Sequence, residues 1–124
     1  MKKEEDRLSR LKRRLFEFGV GVTGLHAEAR RQGMDNLLWE RVVIVAADAG
    51  AVLEKEPFSE PPRGFIDCID KAGRAMVEAH YLLRILDRIG CLPEGEANML
   101  VEVSGSLMKE LIKGSKALHD MCDE

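Results

Sequence analysis

The sequence predicts an all-α fold, an antiparallel up-down-up-down four-helix bundle, and three observations lead there. Apolar residues recur at intervals of three and four along four separate stretches, the spacing that lines up one face of a helix. Segments rich in Gly or Pro divide those stretches near Gly33, over 56–64 and at Gly90 to Pro93, so the connections are short, as in a bundle of antiparallel neighbours. Hydrophobic residues make up 45% of the chain but aromatic residues only 5%, which suits aliphatic helix packing better than a sandwich or barrel. A chain of 124 residues supports one core, so a single domain over 1–124 is expected.

The first helical signal runs from about Glu5 to Arg31, with Leu8, Leu11, Leu15, Phe18, Val22, Leu25 and Ala29 forming a coiled-coil-like seam. Gly19, Gly21 and Gly24 interrupt it; each costs up to about 1 kcal/mol relative to Ala, so packing must offset them or the helix bends. Gly33 reads as a stop and Asp35 or Asn36 as the next N-cap, opening a second helix over about 36–55 on Leu38, Val42, Val45, Ala49 and Val52. Its β-branched centre also fits a buried strand, but length and Ala content favour helix. The segment 56–64 holds three of the four prolines and reads as a loop, with Pro61 or Pro62 at the mouth of the third helix.

That third helix lies within 64–92 and carries three apolar rows spaced by seven. Phe65, Ala72, Ala79 and Leu86 form the first, Ile69, Met76 and Leu83 the second, and Cys68, Ala75, Leu82 and Ile89 the third. Three adjacent rows imply burial around much of the circumference, against sister helices and a further subunit. Gly90 ends the helix, and Pro93 is expected at or near the first position of the fourth. There Leu100, Ser104, Leu107, Leu111, Gly114 and Leu118 again step by four and three. Asp67 to Lys71 and Asp70 to Arg74 stand at pair-forming intervals on a charged outer face of the third helix.

The net charge of −3 is unevenly spread. Residues 1–41 carry 10 Lys/Arg against 7 Asp/Glu, giving +3, while 42–124 carry 9 against 15, giving −6. The candidate nucleic-acid-binding residues are therefore Lys2, Lys3, Arg7, Arg10, Lys12, Arg13 and Arg14, with Arg41 as a further cation. Glu4, Glu5, Asp6 and Glu17 lie among them at helical spacing, so a solvated, internally paired helix end is the competing reading. No run of about 18 uncharged apolar residues occurs and the first dozen residues are charged, so no membrane span or secretion signal is expected, and a cytoplasmic protein is. Cys68, Cys91 and Cys122 are odd in number and form no CxxC pattern, which points to reduced thiols.

Residues 19–24 match GxGxxG literally, and Asp48 follows about two dozen residues later. A dinucleotide site needs a strand feeding the first glycine. LSRLKRRLFEF precedes it instead, with helical spacing, so close helix approach at small residues is expected there. No Glu-x-x-His pair occurs, and His26, His80 and His119 are single, one per helix, so neither a di-iron site nor another metal site is expected, nor a bound cofactor. No serine or cysteine sits in a nucleophile signature, and the chain reads as a non-enzyme.

Phe65-Ile66, Ala72, Glu78-Ala79-His80, Tyr81-Leu82-Leu83, Gly90 and Leu92 resemble the F-I-x-x-L-x-x-A…E-x-x-Y-x-L…G-x-L stretch of the bacterial four-helix bundle proteins of 23S rRNA intervening sequences. Arg41-Val42-Val43 is similar to that family's Arg-Ala-Ala segment in helix two, and the likeness in helix order and loop placement spans roughly 10–118. The family's Asn-Ile-Ala-Glu-Gly signature is replaced here by Ala49-Gly50-Ala51-Val52-Leu53. The resemblance implies a left-turning antiparallel bundle assembled into a homopentameric ring, with no established enzymatic activity. It also implies a likeness to the accessory variability proteins of diversity-generating retroelements, basic bundles that bind a reverse transcriptase and RNA. Two expectations follow: an oligomeric scaffold or adaptor, and alternatively a nucleic-acid or reverse-transcriptase accessory factor using the basic N-terminal helix.

Overall fold

A computed structural model of the chain describes residues 2–55, 57–59, 62–95 and 97–123, with the side chains of Lys2 and Ala97 left out. Four helices account for nearly all of them: α1 (Lys2–Arg31), α2 (Leu37–Glu54), α3 (Arg63–Arg88) and α4 (Ala97–Cys122), with no strand among the described residues. In space α1 packs on α2, α2 on α3, α3 on α4 and α4 on α1, while the diagonal pairs do not approach as closely. One apolar cluster draws residues from all four helices.

The helix ends follow from local chemistry. Asn36 is the N-cap of α2, in extended backbone, its side-chain oxygen accepting from Leu38 N–H at 2.8 Å, which satisfies one of the free donors of the first turn. Gly33 closes α1 at φ 74°, with Gly33 N–H donating to Arg30 O and Met34 N–H to Ala29 O. Gly90 closes α3 in the same way at φ 76°, through Gly90 N–H to Asp87 O and Cys91 N–H to Leu86 O. Both are Schellman motifs, and both need the left-handed backbone that glycine tolerates.

Two boundaries differ from expectation, those of α1 and α4, while the mouth of α3 agrees with it. The first helix begins at Lys2 rather than Glu5. Pro62 stands at the N-cap of α3, its carbonyl accepting from Ile66 N–H, whereas Pro61 lies outside the described residues. Pro93 does not open α4, which starts at Ala97; Gly95, at φ 98°, holds left-handed backbone between them, so Pro93 is instead a buried residue of the corner.

All seven apolar seam residues of α1 are buried. In α2, Val42, Val45 and Ala49 are joined inside by Trp39, Ala46 and Leu53. The first two rows of α3 are wholly buried. The third splits: Cys68 and Leu82 are buried, Ala75 is partly covered, and Ile89 is 55% exposed. The chain itself therefore covers most of that row. Contacts between neighbouring helices run in opposite senses of number. Asp70, Gly73 and His80 of α3 meet Ser115, Leu111 and Ser104 of α4, and Leu15 and His26 of α1 meet Gly50 and Trp39 of α2.

Candidate functional site

The basic residues of α1 separate onto two sides of the helix. Arg7, Arg10 and Arg14, spaced three and four apart, line a cleft between α1 and α4 with Glu110 and Lys113. Arg14 pairs with Glu110, and Arg7 lies 2.9 Å from Glu4. That contact is an ion pair without hydrogen-bond alignment, since Arg7 Nη2 and Glu4 Oε2 both lack a hydrogen-bond partner. Gly114 makes room for Ile69 of α3 rather than for the arginine: a Cβ there would lie 3.0 Å from Ile69 Cδ1 but at an ordinary 3.9 Å from Arg7 Nη2. Arg10 and Arg13 are exposed, as is Lys3.

Lys12 points elsewhere. Its ammonium sits 5.5 Å from the centroid of the Phe65 ring, a cation–π contact worth roughly 0.5–1 kcal/mol at a partly exposed site. Arg41 is not part of the cluster either. It lies near the far end of the bundle, bonded twice to Glu78 of α3 at 2.6 and 3.0 Å. The hydrogen bonds raise the Arg41 pKa and lower that of Glu78, so this pair stays ionised. Of the sequence candidates, the fold brings Arg7, Arg10 and Arg14 into one cleft, with Arg13 beside it. Lys113 was missed because the chain beyond residue 42 is acidic in sum, and only packing delivers one of its lysines to α1.

A second concavity lies between α1 and α2, a groove of about 490 Å³. Phe16, Gly19 and Val20 line it from α1, and Ala47, Gly50 and Ala51 from α2. Phe16 is 66% and Val20 54% exposed. The GxGxxG residues thus lie inside a continuous helix, with Thr23 Oγ1 donating back to Gly19 O at 2.8 Å. Asp48 is an exposed residue of α2. Close approach explains only part of the glycine pattern. A Cβ on Gly21 would meet Leu100 at 3.4 Å, but on Gly19 or Gly24 it would meet nothing within 4 Å.

The histidines each bridge neighbouring elements. His26 Nε2 stands 2.7 Å from Asp35 Oδ1, and its ring stacks on Trp39 at 5.3 Å. This hydrogen bond is the main cause that lowers the Asp35 pKa. Trp39 Nε1 in turn donates to Cys91 O at 3.0 Å, tying α2 to the α3–α4 corner. Asp70 accepts from Ser115 and meets His119 Nε2 at 3.1 Å, and the expected Asp70–Arg74 pair is not formed among the described residues. The expected Asp67–Lys71 pair is present at 3.0 Å.

His80 Nδ1 lies 2.8 Å from Ser104 Oγ, and that hydroxyl donates to Val101 O at 2.8 Å. With its one proton spent on the carbonyl, Ser104 accepts from Nδ1–H. The arrangement is a packing bond between α3 and α4, with the serine fully buried. In the Asp70 cluster the carboxylate stands between serine and histidine, so the imidazole has no contact with the hydroxyl proton it would need to take as a base. No group of three or more His, Cys, Asp or Glu is placed to hold a metal ion among the described residues. No described helix is long and apolar enough to cross a membrane. No family model, no curated protein and no solved structure matches the chain.

Proposed function

We propose that this chain is a non-enzymatic helical scaffold that acts as an oligomer. The observation that carries the reading is apolar exposure on two opposite sides of the bundle. Phe16, Val20 and Ile44 are at least half exposed beside the α1–α2 groove, and Val77, Tyr81 and Ile112 are about half exposed on the α3–α4 side. Monomers rarely leave large apolar residues grouped on facing sides, and two different sticky faces on one chain favour head-to-tail association. The opposed numbering of the helix contacts supports an up-down-up-down antiparallel topology, within one domain over 1–124. Membership of the bacterial bundle family of 23S rRNA intervening sequences, a homopentameric ring and a cytoplasmic location belong to the same reading. Light scattering over a micromolar dilution series tests it: a mass above one chain that falls on dilution is expected, and a strict monomer throughout would remove the assembly.

A second reading is favoured by the α1–α4 cleft. Arg7, Arg10, Arg14 and Lys113 line it, with Glu110 as the carboxylate among them, an arrangement suited to the phosphate backbone of RNA in a reverse-transcriptase complex. An electrophoretic shift with single-stranded RNA should then appear at low salt and vanish steeply as salt rises. Retained binding after Arg10→Ala, Arg13→Ala and Arg14→Ala together would sink that reading.

A further inference from the structure

Glu40, Ile44, Ala47, Ala51 and Glu54 follow one another at steps of four, three, four and three on α2, and every one of them is exposed. They make a stripe with an apolar centre and an acid at each end. On α3, Arg74, Val77, Tyr81, Arg84 and Arg88 follow at steps of three, four, three and four, and all are exposed too. This stripe has the same apolar centre but basic ends. In each, the outermost charges are fourteen residues apart, about 21 Å along a helix. Glu40, Glu54, Arg74 and Arg88 make no ion pair among the described residues.

The two stripes match in length, in apolar centre and in opposite charge, yet one chain cannot bring them together. The α2 stripe borders the α1–α2 groove through Ala47, Ala51 and Glu54. The α3 stripe borders the cleft with α4 through Arg74 and Val77. Because the helices pack in a ring, these faces look away from each other. We propose that the α2 stripe of one copy docks on the α3 stripe of a second copy. Tyr81 and Val77 then lie over the small side chains Ala47 and Ala51, with Phe16 and Val20 of the groove alongside, and the arginines meet Glu40 and Glu54. The contact is heterologous, so an open assembly keeps one stripe of each kind free, at its two ends, until it closes. This inference rests on the oligomeric reading above and names its interface.

Charge reversal on the full chain tests it. Glu40→Arg with Glu54→Arg makes both stripes basic, and Arg74→Glu with Arg88→Glu makes both acidic. Each double variant should keep its helical circular dichroism and dissociate at roughly tenfold higher concentration than the parent, an effect that shrinks toward 1 M salt. Mixing the two variants should restore contacts between unlike copies, which alternate and close only even-numbered rings, and carrying all four changes in one chain should restore assembly in full. If the parent assembles and both double variants assemble equally well, this interface is overturned while the scaffold stands. Loss of assembly without rescue in the four-change chain overturns the pairing of these stripes. A parent that stays monomeric removes the interface and the scaffold together.

Discussion

Gly24→Ala and Gly105→Ala are the same chemical change in the interior of a helix, yet only the first should stabilise the fold. At Gly24 the new methyl meets nothing within 4 Å, so the variant keeps the whole helix-propensity gain of about 1 kcal/mol. At Gly105 the methyl would lie 3.2 Å from His80 Cε1 and 3.7 Å from both ring nitrogens. That ring is not free to yield, because Nδ1 is bonded at 2.8 Å to Ser104 Oγ and Ser104 is fully buried. Moving the ring lengthens a buried hydrogen bond whose loss costs about 1–3 kcal/mol, which cancels or exceeds the gain. The two variants should therefore differ by about 1–3 kcal/mol. Each kcal/mol shifts the melting temperature of a domain this size by about 3–6 °C, so thermal unfolding followed at 222 nm, at one fixed protein concentration, resolves the pair. Adding His80→Ala should turn Gly105→Ala into a stabilising change, since the coupling runs through that ring. Equal stabilisation by both single variants would refute the claim that His80 is pinned.

Leu83→Ala, in the fully buried second row of α3, should cost about 2–5 kcal/mol in urea unfolding, while Ile89→Ala, in the exposed end of the third row, should stay within about 0.5 kcal/mol. Trp39→Phe strands the Cys91 carbonyl that the indole N–H satisfies and should cost about 1–3 kcal/mol by the same measurement. Burial holds the His80 pKa below the ordinary histidine range, with Arg84 and Lys109 adding to the shift against a backbone hydrogen bond at Val101. Protonation thus favours the unfolded chain: stability should be full above about pH 6.5 and fall as the pH drops below it, and urea midpoints across that range should fall less in His80→Gln.

Four helices with their seams were legible in the sequence because three-four periodicity records what each helix buries, and every α1 seam residue is indeed covered. Caps were legible where one residue type has one physical use, as with Gly33 and Gly90, whereas the N-cap of α2 was narrowed only to Asp35 or Asn36 and proves to be Asn36. Pro93 misled because proline is equally at home in a corner as in a first turn. Trp39 escaped the α2 seam although it is the largest fully buried side chain. Trp39, Val42, Ala46, Ala49 and Leu53 step by three and four as regularly as the seam read from Leu38, so spacing along α2 left two registers open, and the partners His26 and Cys91 go with the one that buries Trp39. The α1–α4 cleft was half legible, since summing charge along the chain hides Lys113.

The third row of α3 suggested a contact beyond the bundle, and the fold removes that argument while supplying another. A row of apolar residues spaced by seven describes a helix face, but neighbouring helices can cover a face from either flank, and Cys68 and Leu82 are covered without any second chain. The proposed assembly rests instead on apolar surface left outside after four helices have packed. Val77 and Tyr81 are of that kind, and they lie on the side of α3 that its charged residues mark as outer. Arginines bracketing them make that face look solvated in sequence. In the proposed interface the same arginines are what the acidic stripe of a second copy would pair with.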